Sequence, residues 1–465
     1  MEIKRAMVFL GLLWFYLLLL KSKNSLACEY FSPNGFNPDF FEYHLPAANL
    51  ALHHRFPVYG FLSDMKDYKL CANPESIKYY RDTYYAGTMI FPSKPPLYSF
   101  LTGTAYLLHG FRPQTAERLN MLFLIILGLS LAGSVYNMTR SWVFSLISLV
   151  VIFFLRKYQL NYYDAELLTA CLVGCLCFLV TCSTVNYNSL IHAATGFASA
   201  LLLLAKGYYL PVSVFLMAGY VIIIIKYKSV STIRNALFYF VGLLIGWVPW
   251  IVFINKAVQN DIPNRLRFSK KLEETAPHLK LNSRNEIFDS SGKYREDVIE
   301  DILKFHQYQH ARENDFILIT NQLGEYNILN VHNEYCTDGE FHPEWRIIKT
   351  SYYNQLPENM NKHYKLLSFY KNHPDAFFLL IYAKIKNAFS AKSLLLFLSV
   401  VFIPGFLYNR KFFHALGVLS LVSVGWLAIV CFYGDERFAQ TADAASACII
   451  FSGVKHYLQK YFYQA

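Results

Sequence analysis

The chain has 465 residues, 54% hydrophobic and 17% aromatic with only 16% charged, and its mean hydropathy of +0.25 is too apolar for one water-soluble globule. A net charge of +11 would suit nucleic acid, but many of the basic residues stand in short loops between apolar runs, where they orient helices and attract anionic lipid headgroups. Nucleic-acid binding is therefore set aside, and the expectation is a mainly α, polytopic membrane protein.

Lys4 and Arg5 precede an apolar run from Ala6 to Leu20, read as an uncleaved first helix with its N-terminus in the cytoplasm. Further candidate spans follow at about 119–136, 142–155, 166–183, 189–205, 209–225, 235–254, 393–408, 412–432 and 441–454, about ten in all. If the first helix leaves the cytoplasm, the inside loops hold Arg140, then Lys226, Lys228 and Arg234, then Arg410 and Lys411, with Lys455 and Lys460 at the end. This sidedness is what the positive-inside rule requires. The span at 189–205 is the weakest link, because it is short and holds His192; losing it would invert everything downstream.

The topology leaves two long segments outside, 21–117 and 256–391. The chain then divides into a membrane module at 1–255, an inserted extracytoplasmic domain at 256–391 and C-terminal spans at 392–465. Within the first outside loop, Phe40, Tyr43, Ala47, Leu50 and Ala51 recur at helical spacing, which predicts an amphipathic surface helix from Asp39 to His53. The inserted domain is polar, with a helix-like stretch at 297–308 and a strand-like one at 316–320, and is expected to be small and mixed α/β. Of the nine cysteines, Cys171, Cys175, Cys177 and Cys182 share one apolar run and read as packing residues. Cys28, Cys71 and Cys336 fall in the outside segments, where Cys28 and Cys71 can pair if the compartment is oxidising. Asn137-Met138-Thr139, the sequon, is expected to face the cytoplasm, which favours a bacterial inner membrane over the endoplasmic reticulum.

Four features fall on the same expected side of the membrane: Asp39 with Glu42, Lys94, Asp164 and Arg437. A carboxylate can activate a hydroxyl and a lysine can hold a departing phosphate. Each also has a plainer reading. Asp39 after Pro38 suits a helix N-cap, Lys94 suits an interfacial loop, and Asp164 and Arg437 suit solvated helix ends. Lys206 reads equally as a snorkelling lysine or a phosphate ligand. His53 and His54, with Glu42, are candidate ligands for a divalent cation.

The order of these motifs resembles the membrane-embedded GT-C glycosyltransferases, in particular the dolichyl-phosphate-mannose protein mannosyltransferases and the bacterial aminoarabinose transferases that modify lipid A. The resemblance rests on Asp39 and Tyr43 opening the amphipathic helix, on Lys94-Pro95-Pro96-Leu97-Tyr98, and on Ala116-Glu117-Arg118-Leu119 leading into a span. It continues through Asp164, Lys206-Gly207, Gly246-Trp247-Val248-Pro249-Trp250 and Arg437, and covers the chain well to about residue 255. Two features depart from the pattern: Phe40 stands where the family has a second acid, with Glu42 as a stand-in, and the loop before Lys94 is long and tyrosine-rich.

The resemblance implies a GT-C fold and an extracytoplasmic active site facing the periplasm. It also implies transfer, with inversion, of a sugar from a polyprenyl-phosphate donor to a hydroxyl or phosphate on a lipid, glycan or protein acceptor. Asp39 would be the general base, Lys94 and Arg437 would neutralise the phosphate with Lys206 as a further candidate, and Asp164 would order the acceptor or a bound cation. No cofactor is required by this chemistry, although a divalent cation fits it. The competing reading is a transporter or flippase for lipid-linked sugars, which would carry its polar residues near mid-membrane.

Overall fold

The computed structural model describes residues 95–110, 113–156, 165–183, 188–275, 393–408, 412–432 and 436–462, with shorter pieces elsewhere, among them 11–13, Tyr43, Pro46, Ala47, Leu50 and Ala51. Helices dominate. In chain order they are α1 (Leu97–His109), α2 (Pro113–Thr139), α3 (Trp142–Arg156), α4 (Glu166–Cys182), α5 (Ser189–Ala205), α6 (Leu210–Tyr227), α7 (Val230–Thr275), α8 (Leu394–Leu407), α9 (Phe412–Leu427), α10 (Glu436–Thr441) and α11 (Asp443–Phe462). Extended structure among the described residues is confined to two antiparallel two-residue pairs, Tyr59–Gly60 with Met89–Ile90 and Arg312–Glu313 with Phe316–Ile317. The rest of the expected mixed α/β domain lies outside the described residues, apart from isolated positions between 381 and 390 and from α7, which runs unbroken past residue 255 to Thr275.

The helices α2 to α9 and α11 coincide with the apolar runs, but among the described residues three stretches are long and apolar enough to cross a membrane: Gln114–Thr139, Gly207–Tyr227 and Val230–Val252. Of the roughly ten expected spans, three are therefore candidates among the described residues, beside the shorter apolar helices Trp142–Arg156, Glu166–Cys182, Ser189–Ala205, Leu394–Leu407 and His414–Val430, and the expected first span at Ala6–Leu20 lies largely outside the described residues. Length is the reason. At 1.5 Å per residue, helices of this size reach roughly 20–26 Å, short of the ~30 Å hydrocarbon core. The weak link at 189–205 is a helix, started by Asn188, whose side chain accepts from the Leu190 N–H at 3.0 Å.

The core lies between α2, α4, α9 and α11, where Leu124, Leu127, Leu131, Val173, Leu176, Val180, Leu421 and Ile449 are buried. Cys171, Cys175, Cys177 and Cys182 are free thiols within α4, two of them buried. Helices α6 and α7 instead expose Val221, Ile225, Leu237, Val241 and Ile245. An apolar outer surface of this kind suits hydrocarbon and not water.

The tightest contact joins α5 to α7. A Cβ on Gly196 would stand 1.9 Å from the Tyr239 carbonyl oxygen, and one on Gly242 would stand 2.0 Å from that of Ala193. Only glycine lets two backbones approach so closely, the usual device of apolar helix pairs that lack a hydrophobic driving force between them. Beside this seam, the His192 Nδ1 and Tyr220 hydroxyl lie 2.5 Å apart, and the Tyr220 and Tyr239 rings are 5.0 Å apart.

Tyr43, Pro46, Ala47, Leu50 and Ala51 are helical. Tyr43 and Ala47 are buried, and a Cβ on Gly103 of α1 would meet the Ala47 carbonyl at 2.8 Å and the Leu50 side chain at 2.9 Å. The apolar spacing read from the sequence is therefore a packing face, and α1 is what it packs against.

Candidate functional site

A layer of polar side chains closes one end of the bundle, and helix polarity accounts for the signs of its charges. Glu166 lies in the first turn of α4 and Asp443 in the first turn of α11, whereas Arg156 ends α3 and Lys206 directly follows α5. Acids at N-termini and bases at C-termini are each stabilised by about 0.3–1 kcal/mol through the helix dipole. Neighbouring antiparallel helices therefore present opposite charges to each other at a shared end.

The first group joins the early loop to α4 and α5. Lys206 Nζ donates to Glu166 Oε1 at 2.9 Å, and the pair is largely withdrawn from solvent, with 12% and 4% of the two side chains exposed. The same ammonium stands 5.8 Å from the centre of the Tyr43 ring, within cation–π range. Tyr43 in turn meets Tyr98 edge to face at 5.5 Å, and the Tyr98 hydroxyl donates a long hydrogen bond of 3.4 Å to Asn120 Oδ1 in α2.

The second group joins α3 to the last helix. Arg156 Nη1 donates to Gln440 Oε1 at 2.6 Å and Nη2 to the Gln440 carbonyl at 2.7 Å, and Nη2 also pairs with Asp443 Oδ2. Both side chains of this ion pair are fully buried. Arg156 Nε and Asp443 Oδ1 have no hydrogen-bond partner among the described residues, so the pair carries desolvation that its own contacts do not fully offset. Tyr209 and Thr441 link the two groups: their hydroxyls lie 2.6 Å apart, and the Tyr209 ring is 5.0 Å from that of Tyr208, two residues beyond Lys206.

Of the residues singled out from sequence, Lys206 takes part in this layer, engaged by Glu166. Arg437 lies on α10, three residues before Gln440. Asp39, Glu42, His53, His54, Lys94 and Asp164 lie outside the described residues, as do Cys28, Cys71 and Cys336. No group of three or more histidine, cysteine or acidic residues gathers as a metal site among the described residues. Sequence reasoning passed over Arg156, Glu166, Gln440, Tyr209 and Asp443. The signal was present for three of them: a charge inside or at the rim of an apolar run is costly to place there and marks either a partner or a function.

Fold and polar layer together define a mostly helical chain with, among the described residues, three candidate membrane-spanning helices and two buried or nearly buried ion pairs at one end of the bundle. No protein-family model matches the chain, and neither curated proteins nor solved structures contain one similar to it.

Proposed function

We propose that the protein is a glycosyltransferase that takes a sugar from a polyprenyl-phosphate donor at the extracytoplasmic face of a bacterial inner membrane. The observation that carries this reading is the meeting of Tyr43, Tyr98 and Lys206. Asp39 precedes Tyr43 by four residues, and Lys94 precedes Tyr98 by four. Asp39 and Lys94 lie outside the described residues, and what supports the reading is that each stands four positions before one of two touching rings, a separation that spans at most about 14 Å. Arg437, within one turn of Gln440, belongs to the same end of the bundle.

In the proposed reaction the acceptor hydroxyl attacks the anomeric carbon as Asp39 takes its proton. The bond from that carbon to the phosphate oxygen breaks, and its electron pair leaves with the phosphate. Lys94 and Arg437, with Lys206, stabilise the charge that accumulates there; removing one such preorganised donor typically costs on the order of 3 kcal/mol in the transition state. Asp164 orients the acceptor or a cation. The arrangement of the ends supports the sidedness: Arg140, Lys226, Lys228 and Arg234 are exposed at the opposite end from the polar layer, as cytoplasmic basic residues would be. The collection of paired charges at one end also weighs against a carrier for lipid-linked sugars, which would place them at mid-helix.

The test is reconstitution with a radiolabelled polyprenyl-phosphate sugar. Asp39→Asn keeps the capping ability of the position, so folding and donor binding should persist while transfer falls by roughly 10² to 10⁴-fold. Near-normal transfer by that variant would remove Asp39 from the mechanism, and no transfer by the wild-type protein to any lipid, glycan or protein fraction would return the carrier reading to the front. Sidedness is tested separately in a cysteine-free variant: a probe should label a cysteine at position 290 from outside, and one at position 230 only after permeabilisation.

A further inference from the structure

We infer that Glu166 is a built-in counter-ion that recaptures Lys206 after each turnover and so prevents the site from retaining its phosphate product. The inference rests on the lipid-phosphate reading above and adds to it a residue that decides which phosphate species the site holds. Its basis is the Lys206–Glu166 contact of 2.9 Å, in which the carboxylate is nearly buried while the ammonium keeps some exposure. The ammonium sits at a break in the helical path: Lys206 is extended, between the end of α5 and the 3-10 turn Gly207–Tyr209. The next residue, Gly207, is exposed, and a Cβ built on it would meet nothing within 4 Å among the described residues.

Charge bookkeeping gives the contact a purpose. The donor is a phosphodiester with one negative charge, whereas the product is a monoester, whose second ionisation near pH 6 brings it to about −1.5 to −2 at neutral pH. A site built of cations alone would therefore grip its product more tightly than its substrate and stall. A fixed carboxylate 2.9 Å from the ammonium acts selectively against the more highly charged species, because repulsion grows with the charge on the ligand. The diester still gains from Lys206, while the extra gain of the monoester is cut back, because Glu166 opposes each added negative charge.

The test measures binding to the full-length protein in nanodiscs, using undecaprenyl phosphate as the monoester, its methyl ester as the diester, undecaprenol as the uncharged control and inorganic phosphate as the lipid-free control. In the wild-type protein the monoester should bind within about threefold of the methyl ester. Glu166→Gln should tighten the monoester by about tenfold and the ester by less than about threefold, in line with the usual size of like-charge effects, and Glu166→Asp should stay near wild type. A merely structural ion pair would weaken both ligands together in Glu166→Gln. Lys206→Ala should weaken both phosphates by about tenfold, with Lys94 and Arg437 still contributing; if it binds them as the wild type does, Lys206 is not a phosphate ligand and the inference falls with that part of the proposed function. If Lys206→Ala weakens both while Glu166→Gln leaves their ratio unchanged, the inference alone falls. Should Glu166→Gln fail to fold, the wild-type ratio decides, and a preference for the monoester above about tenfold overturns the idea. Inorganic phosphate competing as well as the lipid would overturn it too.

Discussion

The two ends of the bundle treat charge in opposite ways. At one end Arg156, Asp443, Glu166 and Lys206 are withdrawn from solvent and matched in sign, while at the other Arg140, Lys226, Lys228 and Arg234 are exposed and meet no carboxylate among the described residues. Single-sign exposed charges contribute little to a helix contact but much to orientation. Buried pairs do the reverse: each fixes two helix ends at one distance and one angle. Arg140 and Lys228 make the contrast sharper, since both adopt left-handed backbone conformations, with φ of 54° and 47°, at helix ends where glycine is the favoured residue. A basic side chain is kept there against a local conformational penalty, which is what selection for charge and not for packing would leave.

The largest effect should come from breaking one partner of the buried pair. Arg156→Met alone leaves Asp443 buried without its cation and should destabilise by about 3–5 kcal/mol, whereas Arg156→Met with Asp443→Leu should recover most of the loss. Thermal unfolding in detergent of the two single variants and the double would show it; a loss in the double equal to the sum of the two single losses would mean that the pair is not coupled. A smaller effect is expected in the uncharged stretch between the ends, where Gly196→Val must part α5 from α7 and should cost about 1–3 kcal/mol, read by the same melts. The opposite end should give the smallest response and the opposite sign. Lys228→Gly removes the left-handed penalty and should stabilise by about 1 kcal/mol, while weakening the orientation signal that cysteine labelling reads.

Much of this architecture is legible in the chain because apolar runs mark helices, and α2 to α9 and α11 fall on them. The packing face of Tyr43, Ala47, Leu50 and Ala51 is legible for the same reason, since 3.6-residue spacing gathers one side of a helix. What it packs against is not: Gly103 announces no partner until the Ala47 carbonyl is found beside it. Span number is less legible because hydropathy reports composition and not length: among the described residues three helices are long enough to cross and five apolar ones are shorter. The polar layer is half legible. Lys206 stands out after an apolar run, but its link to Glu166 crosses 40 positions and that of Arg156 to Asp443 crosses 287, and local pattern carries no information on pairing at such separations.

The second of those separations has a consequence for biogenesis. A ribosome adding roughly 5–20 residues per second needs about 15–60 s to travel from Arg156 to Asp443. Throughout that interval α3 is already made and its terminal guanidinium has not met the Asp443 carboxylate that it pairs with in the fold. The nascent protein must therefore shelter this charge in the translocation machinery, in a water-filled defect or against a chaperone until the last helix arrives. A chain stopped before Asp443 would keep the Gln440 contacts of Arg156 within reach but lack the carboxylate that neutralises it.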